Sequence, residues 1–129
     1  MRLLLDTHVV IWFLASSARI NADVRTILVD RRNAVFVSVV TGWEMAIKSA
    51  LGQLQTPPDV RLWLPGELEA SGFVVLPISL QHALAVETLP LHHRDPFDRL
   101  LIAQARVEDM MLVTADQWFS QYDVRLLRV

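Results

Sequence analysis

The 129-residue sequence predicts an α/β fold, a three-layer α/β/α sandwich around a mainly parallel central sheet. Three features carry this prediction. Short apolar or β-branched runs, such as Leu3–Leu5, Val35–Val37 and Met111–Val113, alternate with longer segments of helical period, the pattern of strands joined by crossover helices. The first run is apolar at every position and carries a charge at either end, as a strand covered on both faces requires. Apolar residues make up 53% of the chain and charged ones 20%, which fills a core and excludes disorder. At ~150 residues per domain, one domain spanning 1–129 is expected.

Each element has a local reason. Leu3–Leu5 is followed by a helix over Thr7–Leu14. Asn21 caps a helix running to about Arg31, with Arg31-Arg32-Asn33 as its exit before the strand Val35–Val37. Ser38 caps a helix over Val39–Ala50, which Gly52 ends before the turn Gln55-Thr56-Pro57-Pro58. Asp59 opens a helix towards Ala70, and Gly72 breaks it ahead of the strand Phe73–Leu76. Pro77-Ile78-Ser79 leads into a helix through Glu87, and Pro90–Arg94 is a loop. Asp95-Pro96 joins a cap to a helix-starting proline before the apolar helix Phe97–Val107. Met111–Val113 is a fourth strand, Asp116–Phe119 a short helix and Arg125–Leu127 a fifth strand. The chain has no internal repeat or low-complexity linker.

Composition narrows the function. Twelve basic against fourteen acidic residues leave a formal charge of −2, which excludes a basic nucleic-acid coat; any polyanion must be held locally. Without cysteine there is neither a disulfide framework nor a thiolate zinc site, and metal ligands must be oxygen or imidazole. Asp6 interrupts what would be the apolar stretch of a secretory signal. The longest apolar run, Val9–Ala15, is far short of the ~18–20 residues that span a bilayer. A soluble, cytoplasmic protein is expected. Its mean hydropathy of +0.34 predicts apolar surface covered by a second subunit or a partner.

The acids fall at telling places. Asp6 and Asp116 follow predicted strands, where open α/β sheets place their ligand crevice. Glu44 shares a helical stripe with Val40, Ile47 and Leu51, and Asp98 shares one with Leu101, Ile102 and Ala105. Both are thus expected to face the core. Burying several carboxylates together is costly unless something positive joins them, and Lys48 and Arg99 are the chief basic residues nearby. A hard divalent ion answers that need, and an acidic cluster with one or two such ions is the usual apparatus for hydrolysing a phosphodiester.

Each acid also has a plainer role. Asp6, Asp95 and Asp116 can cap helices, Thr41 and Glu44 have capping-box spacing, and Glu44 with Lys48 forms an i,i+4 pair. Capping, however, does not require Glu44 and Asp98 to face the core. His8, His92 and His93 lack a metal-binding spacing and read as surface or loop residues. Trp12, Trp43, Trp63 and Trp118 read as core or interface packing. Arg94 and Arg99 bracket the acids and read as RNA phosphate contacts, whereas Arg31-Arg32 reads as either phosphate contact or solvated charge.

Four segments together resemble a known family: Leu-Leu-Leu-Asp6-Thr7-His8, Ser38-Val-Val-Thr-Gly-Trp-Glu44-Met-Ala-Ile-Lys48, Arg94-Asp95-Pro-Phe-Asp98-Arg-Leu-Leu-Ile-Ala-Gln-Ala105 and Leu112-Val-Thr114-Ala-Asp116. In order and length, the whole chain resembles PIN-domain proteins, and most closely the VapC-type toxins of type II toxin–antitoxin pairs. The resemblance implies a Mg²⁺- or Mn²⁺-dependent endoribonuclease of PIN fold, often dimeric, held inactive by a cognate antitoxin. Operator DNA is bound through that antitoxin. It also implies an acidic quartet of Asp6, Glu44, Asp98 and Asp116, with Asp95 as a cap or outer ligand. Thr7 and Thr114 match the family's hydroxyl positions beside the acids, while His8 stands where many relatives carry Asn or Ser.

The mechanism expected from this set is attack on phosphorus by metal-activated water. Two rivals belong to other classes. A non-catalytic module could use the acidic groove to bind a basic segment. An aspartyl-phosphate phosphatase or receiver-like domain also places Asp after its first strand, but such phosphatases generally want a second acid two residues on, where this chain has His8.

Overall fold

A computed structural model describes residues 1–129 and contains five strands: β1 (Arg2–Leu5), β2 (Ala34–Ser38), β3 (Val74–Leu76), β4 (Met111–Thr114) and β5 (Leu126–Arg128). Six helices connect them: α1 (Thr7–Leu14), α2 (Ala22–Val29), α3 (Val39–Ala50), α4 (Val60–Ala70), α5 (Leu80–Ala85) and α6 (Pro96–Val107). Short 3₁₀ turns at Val86–Thr88 and Gln117–Gln121 complete the set. The sheet order is β3-β2-β1-β4-β5, and every neighbouring pair is parallel, with no antiparallel edge.

Strand alternation divides the interior into two layers. Leu3 and Leu5 point into a core shared with Val9, Val10, Val24, Leu28, Leu64 and Leu68, whereas Leu4 points the other way, towards Leu101, Ile102, Ala105 and Phe119. Val113 and Leu112 on β4 divide the same way. All three β1 leucines are fully buried, as a strand covered on both faces demands.

Several boundaries move from their sequence expectation. The helix capped by Asn21 stops at Val29, because Asp30 turns extended and its carboxylate takes the Arg32 backbone N–H at 2.9 Å. Asp59 precedes α4 in the left-handed region, φ +58°, and its side chain makes no cap bond. The helix expected through Glu87 tightens into a 3₁₀ turn after Ala85. The fifth strand is shifted by one residue, to Leu126–Arg128. No helix is long and apolar enough to cross a membrane.

Candidate active site

Strand order reverses at the centre of the sheet: β2 and β3 lie on one side of β1, and β4 and β5 on the other. Chains leaving the carboxyl ends of β1 and β4 therefore diverge, and a crevice opens between them. Asp6 stands at the end of β1, and its backbone N–H still donates to Val113 of β4 at 3.0 Å. Asp116 lies two residues past β4, and its N–H donates to the Thr114 hydroxyl at 2.9 Å.

The capping roles and the shared site coexist. Asp6 is the N-cap of α1: its Oδ1 accepts from Val9 N–H at 3.0 Å, while Oδ2 accepts the Thr114 hydroxyl. Burial pushes the Asp6 carboxyl up from its ordinary range, against the Thr114 and Val9 bonds that pull it down. Asp95 caps α6, its Oδ1 accepting from Phe97 and Asp98 N–H at 2.9 and 3.3 Å. Asp116 caps the following 3₁₀ turn through Trp118 N–H at 2.9 Å. The capping box expected of Thr41 and Glu44 is absent, because α3 starts earlier, at the Ser38 cap.

Glu44 is 3% exposed, as its stripe predicted, but for a different reason. Ile47 and Leu51 of that stripe face solvent, and Glu44 is covered by α1, whose Thr7 hydroxyl donates to Oε1 at 2.7 Å. Its Oε2 is paired with Lys48, whose own pKa rises in consequence. Asp98 lies in the first turn of α6, and its carboxyl is pushed up to about 7. Loss of water is the largest cause, followed by the charge of Asp95; Glu44 and Asp6 push in the same direction, and a hydrogen bond from His93 opposes them. The carboxylates that cap α1 and α6, and one from α3, thus act on one group.

A histidine that the sequence reads as a surface or loop residue contacts Asp98. His93 is half-buried, with Nε2 2.8 Å from Asp98 Oδ2 and its ring near-parallel to Trp118. One ligand atom each from His93, Asp98 and Asp116 lie within 4.8 Å of one another; Asp6 and Glu44 are not in that close trio. The spacing from His93 to Asp98 matches no helical metal motif, because α6 begins only at Pro96. A usable signal was the cap itself. Chains entering a capped helix often fold back so that a residue before the cap packs on the first turn, and His93 against Asp98 is a polar version of that contact.

The arginine expectation needs correction. Arg99 is not free for RNA: its guanidinium donates to the carbonyls of Pro90 at 2.9 Å, Val86 at 3.2 Å and Leu89 at 3.4 Å, pinning the loop before α6. Arg94 is exposed and makes no ion pair. The packing role expected of the tryptophans fails as core packing for Trp43 and Trp118, which are 55% and 50% exposed beside Glu44 and Asp116. His8 and His92 are exposed, as expected.

The donor set fits a divalent cation. Five carboxylates are met by hydroxyls, backbone N–H groups and an imidazole, but the one ammonium paired with them is Lys48. Neutral donors orient a carboxylate without cancelling its charge, whereas an oxygen-rich pocket with surplus negative charge suits a hard ion.

Comparison with known proteins agrees with this architecture. The chain is 33% identical over 61 residues to Ribonuclease VapC16 of Mycobacterium tuberculosis, a stretch covering 47% of this chain and 42% of that protein. The match therefore spans less than half of that relative. The fold is similar to that of VapBC2 from Rickettsia felis, crystallised on a DNA fragment from its promoter, with a TM-score of 0.74, 14% identity and coverage of 100% and 99% of the two chains. It is also similar to DNA-bound VapBC from Salmonella typhimurium (TM-score 0.71, 16% identity, 99% and 98% covered) and to FitAcB from Neisseria gonorrhoeae (0.67, 21%, 98% and 96%). The model of the PIN domain matches residues 3–125, almost the entire sequence, and the chain belongs to the PIN-domain family.

Proposed function

We propose that this chain is a divalent-metal-dependent endoribonuclease, the toxin of a type II toxin–antitoxin pair, which hydrolyses RNA phosphodiesters at the acidic crevice with Mg²⁺ or Mn²⁺. The observation that carries the proposal is the convergence of Asp98, Asp116 and His93, one ligand atom each within 4.8 Å of one another, in a PIN-family chain whose buried Asp6 and Glu44 raise the Asp98 carboxyl further. Similarity to a protein named as a ribonuclease and to VapBC assemblies supports the toxin reading.

In this reading Asp6, Glu44, Asp98 and Asp116 hold the metal. When bound, the ion supplies positive charge at the phosphate and acidifies water for attack on phosphorus. Thr7 and Thr114 each give a hydrogen to one carboxylate oxygen, fixing the rotamers of Glu44 and Asp6. Lys48 pairs with the far oxygen of Glu44 and fixes its direction. Asp95, whose Oδ1 is committed to two backbone N–H groups, contributes charge and sets the start of α6. Arg94 is the remaining basic candidate for a phosphate, and the exposed rings of Trp43 and Trp118 suit stacking on unpaired bases.

A cognate antitoxin is the partner, reaching operator DNA on the toxin's behalf, and the protein works in the cytoplasm as a homodimer of one-domain subunits. Exposed Leu51, Leu80 and Leu84 leave apolar surface for a partner or second copy to cover. The test is incubation of structured RNA with purified protein and Mg²⁺ or Mn²⁺, with chelator in parallel and with Asp6→Asn. Cleavage that needs metal and vanishes in the variant is expected. Cleavage that survives Asp6→Asn unchanged contradicts the proposal.

A further inference from the structure

We propose that His93 is a metal ligand: its Nε2 joins the carboxylates of Asp98 and Asp116 on one divalent ion, and the nitrogen donor makes the site favour transition ions such as Mn²⁺ or Co²⁺ over Mg²⁺. The inference rests on the metal-dependent reading above and names the class of ion.

Spacing is the first argument. An octahedral ion with ligands at about 2.1 Å sets neighbouring donors about 3 Å apart. His93 Nε2 and Asp98 Oδ2 are 2.8 Å apart, and a carboxylate oxygen of Asp116 completes a trio within 4.8 Å. A hydrogen bond between His93 and Asp98 would not by itself call for a second carboxylate from beyond β4. Asp116 is brought there by a different element, the turn after β4 that it caps through Trp118 N–H, so the third donor is set independently of the His93–Asp98 bond.

The second argument is that the imidazole is held in place. The His93 backbone N–H donates to the Tyr122 hydroxyl at 2.8 Å, and Arg99 ties the loop's Pro90 and Leu89 carbonyls to α6. On the outer side its ring lies near-parallel to that of Trp118, at 6.3 Å and 26°. Ligand side chains fixed by such neighbours lose little freedom on taking an ion. Exposed His8 and His92 have no comparable carboxylate contact.

The third argument is chemical. Imidazole adds affinity for divalent transition ions, more for Co²⁺ than for Mn²⁺, whereas Mg²⁺ prefers oxygen and keeps its water. On taking the ion a neutral imidazole presents the Nε2 lone pair and carries its one hydrogen on Nδ1, whereas an imidazolium first gives its Nε2 proton to solvent.

Pulsed electron paramagnetic resonance of the Mn²⁺-loaded full chain tests this directly. Nitrogen-14 coupling is expected in the wild type and in His8→Gln, and is expected to vanish in His93→Gln. In calorimetric titrations His93→Gln should lose about tenfold or more in Mn²⁺ affinity and much less in Mg²⁺ affinity. Bound Mn²⁺ with no nitrogen coupling in the wild type overturns the ligand assignment while leaving the metal site standing. Coupling that disappears in His8→Gln and persists in His93→Gln also overturns it. A wild-type chain that binds no Mn²⁺ at all overturns this inference and the nuclease reading together. The wild-type spectrum decides even if His93→Gln fails to fold.

Discussion

Helix α6 carries two polar clusters, one buried and one half-buried, and they are built on opposite principles. Near its middle, Gln104 Oε1 accepts from Ser38 Oγ at 2.5 Å, and its Nε2 donates to the Pro77 carbonyl at 3.2 Å and to His82 Nδ1 at 3.3 Å. His82 Nδ1 also accepts from Ser79 N–H at 3.0 Å, so Nε2 carries the hydrogen and donates to Glu108 at 2.8 Å. Donors and acceptors match, and the one formal charge, on Glu108, sits at the partly exposed end. At the start of the same helix, acceptors outnumber cationic donors and the charges repel. A completed network holds layers together; an incomplete one stores an electrostatic demand that only a ligand meets.

The sharpest way to break this comparison is to neutralise one member of each cluster. Asp98→Asn should cut metal-dependent RNA cleavage at least about a hundredfold, equivalent to ~2.7 kcal/mol of barrier. The melting temperature of the metal-free protein should hold or rise, because a repelling charge has gone. Gln104→Ala should do the reverse. It strands the Ser38 hydroxyl and removes a donor from His82, at a cost of about 2 to 4 kcal/mol, a fall in Tm of roughly 10 °C. Cleavage per folded molecule should be unchanged. Thermal melting and RNA cleavage of both variants check the pair of outcomes.

Acidity gives a smaller effect with a definite sign. Asp98 keeps its proton up to about 7 in the folded chain, whereas its ordinary value is 3.8. Between these values the unfolded chain holds fewer protons, so the metal-free protein loses stability as pH rises from about 4 to about 7. Asp6, also raised, acts in the same direction. Wild type and Asp98→Asn should therefore melt together near pH 4 and separate by several degrees near pH 7, the variant melting higher. A constant separation would show that the charge cluster is not responsible.

The smallest effect belongs to an ion pair outside either cluster. Arg32 holds the Asp30 carboxyl down at about 2, yet the pair lies open to water. Asp30→Asn should shift Tm by no more than about a degree. A larger shift would mean that surface pairs carry stability assigned here to the interior.

What the sequence reveals and what it hides follow the same division. Leu3–Leu5 and its terminal Asp6 are readable because strand burial and strand-end position are local facts. Capped starts such as Ser38 and Asp95-Pro96 are readable for the same reason. The apolar stripe that predicts burial of Glu44 includes Ile47 and Leu51, which face solvent; the real cover is Thr7, supplied by a helix far away in sequence. His93 and Arg99 depend on how one loop folds back onto α6. One gains a carboxylate partner and the other exchanges an expected phosphate for carbonyls. Spacing along the chain does not encode that fold-back; the cap at Asp95 is its one local signal.

The central claim is that the carboxylates around Asp98 form one pocket that needs a divalent ion. Calorimetric titration of Mn²⁺ into the metal-free protein above pH 7 tests it most directly. Saturable binding that raises Tm in the wild type, and is lost in Asp98→Asn, is the predicted result. Absence of binding, or binding equally tight in Asp98→Asn, would contradict it.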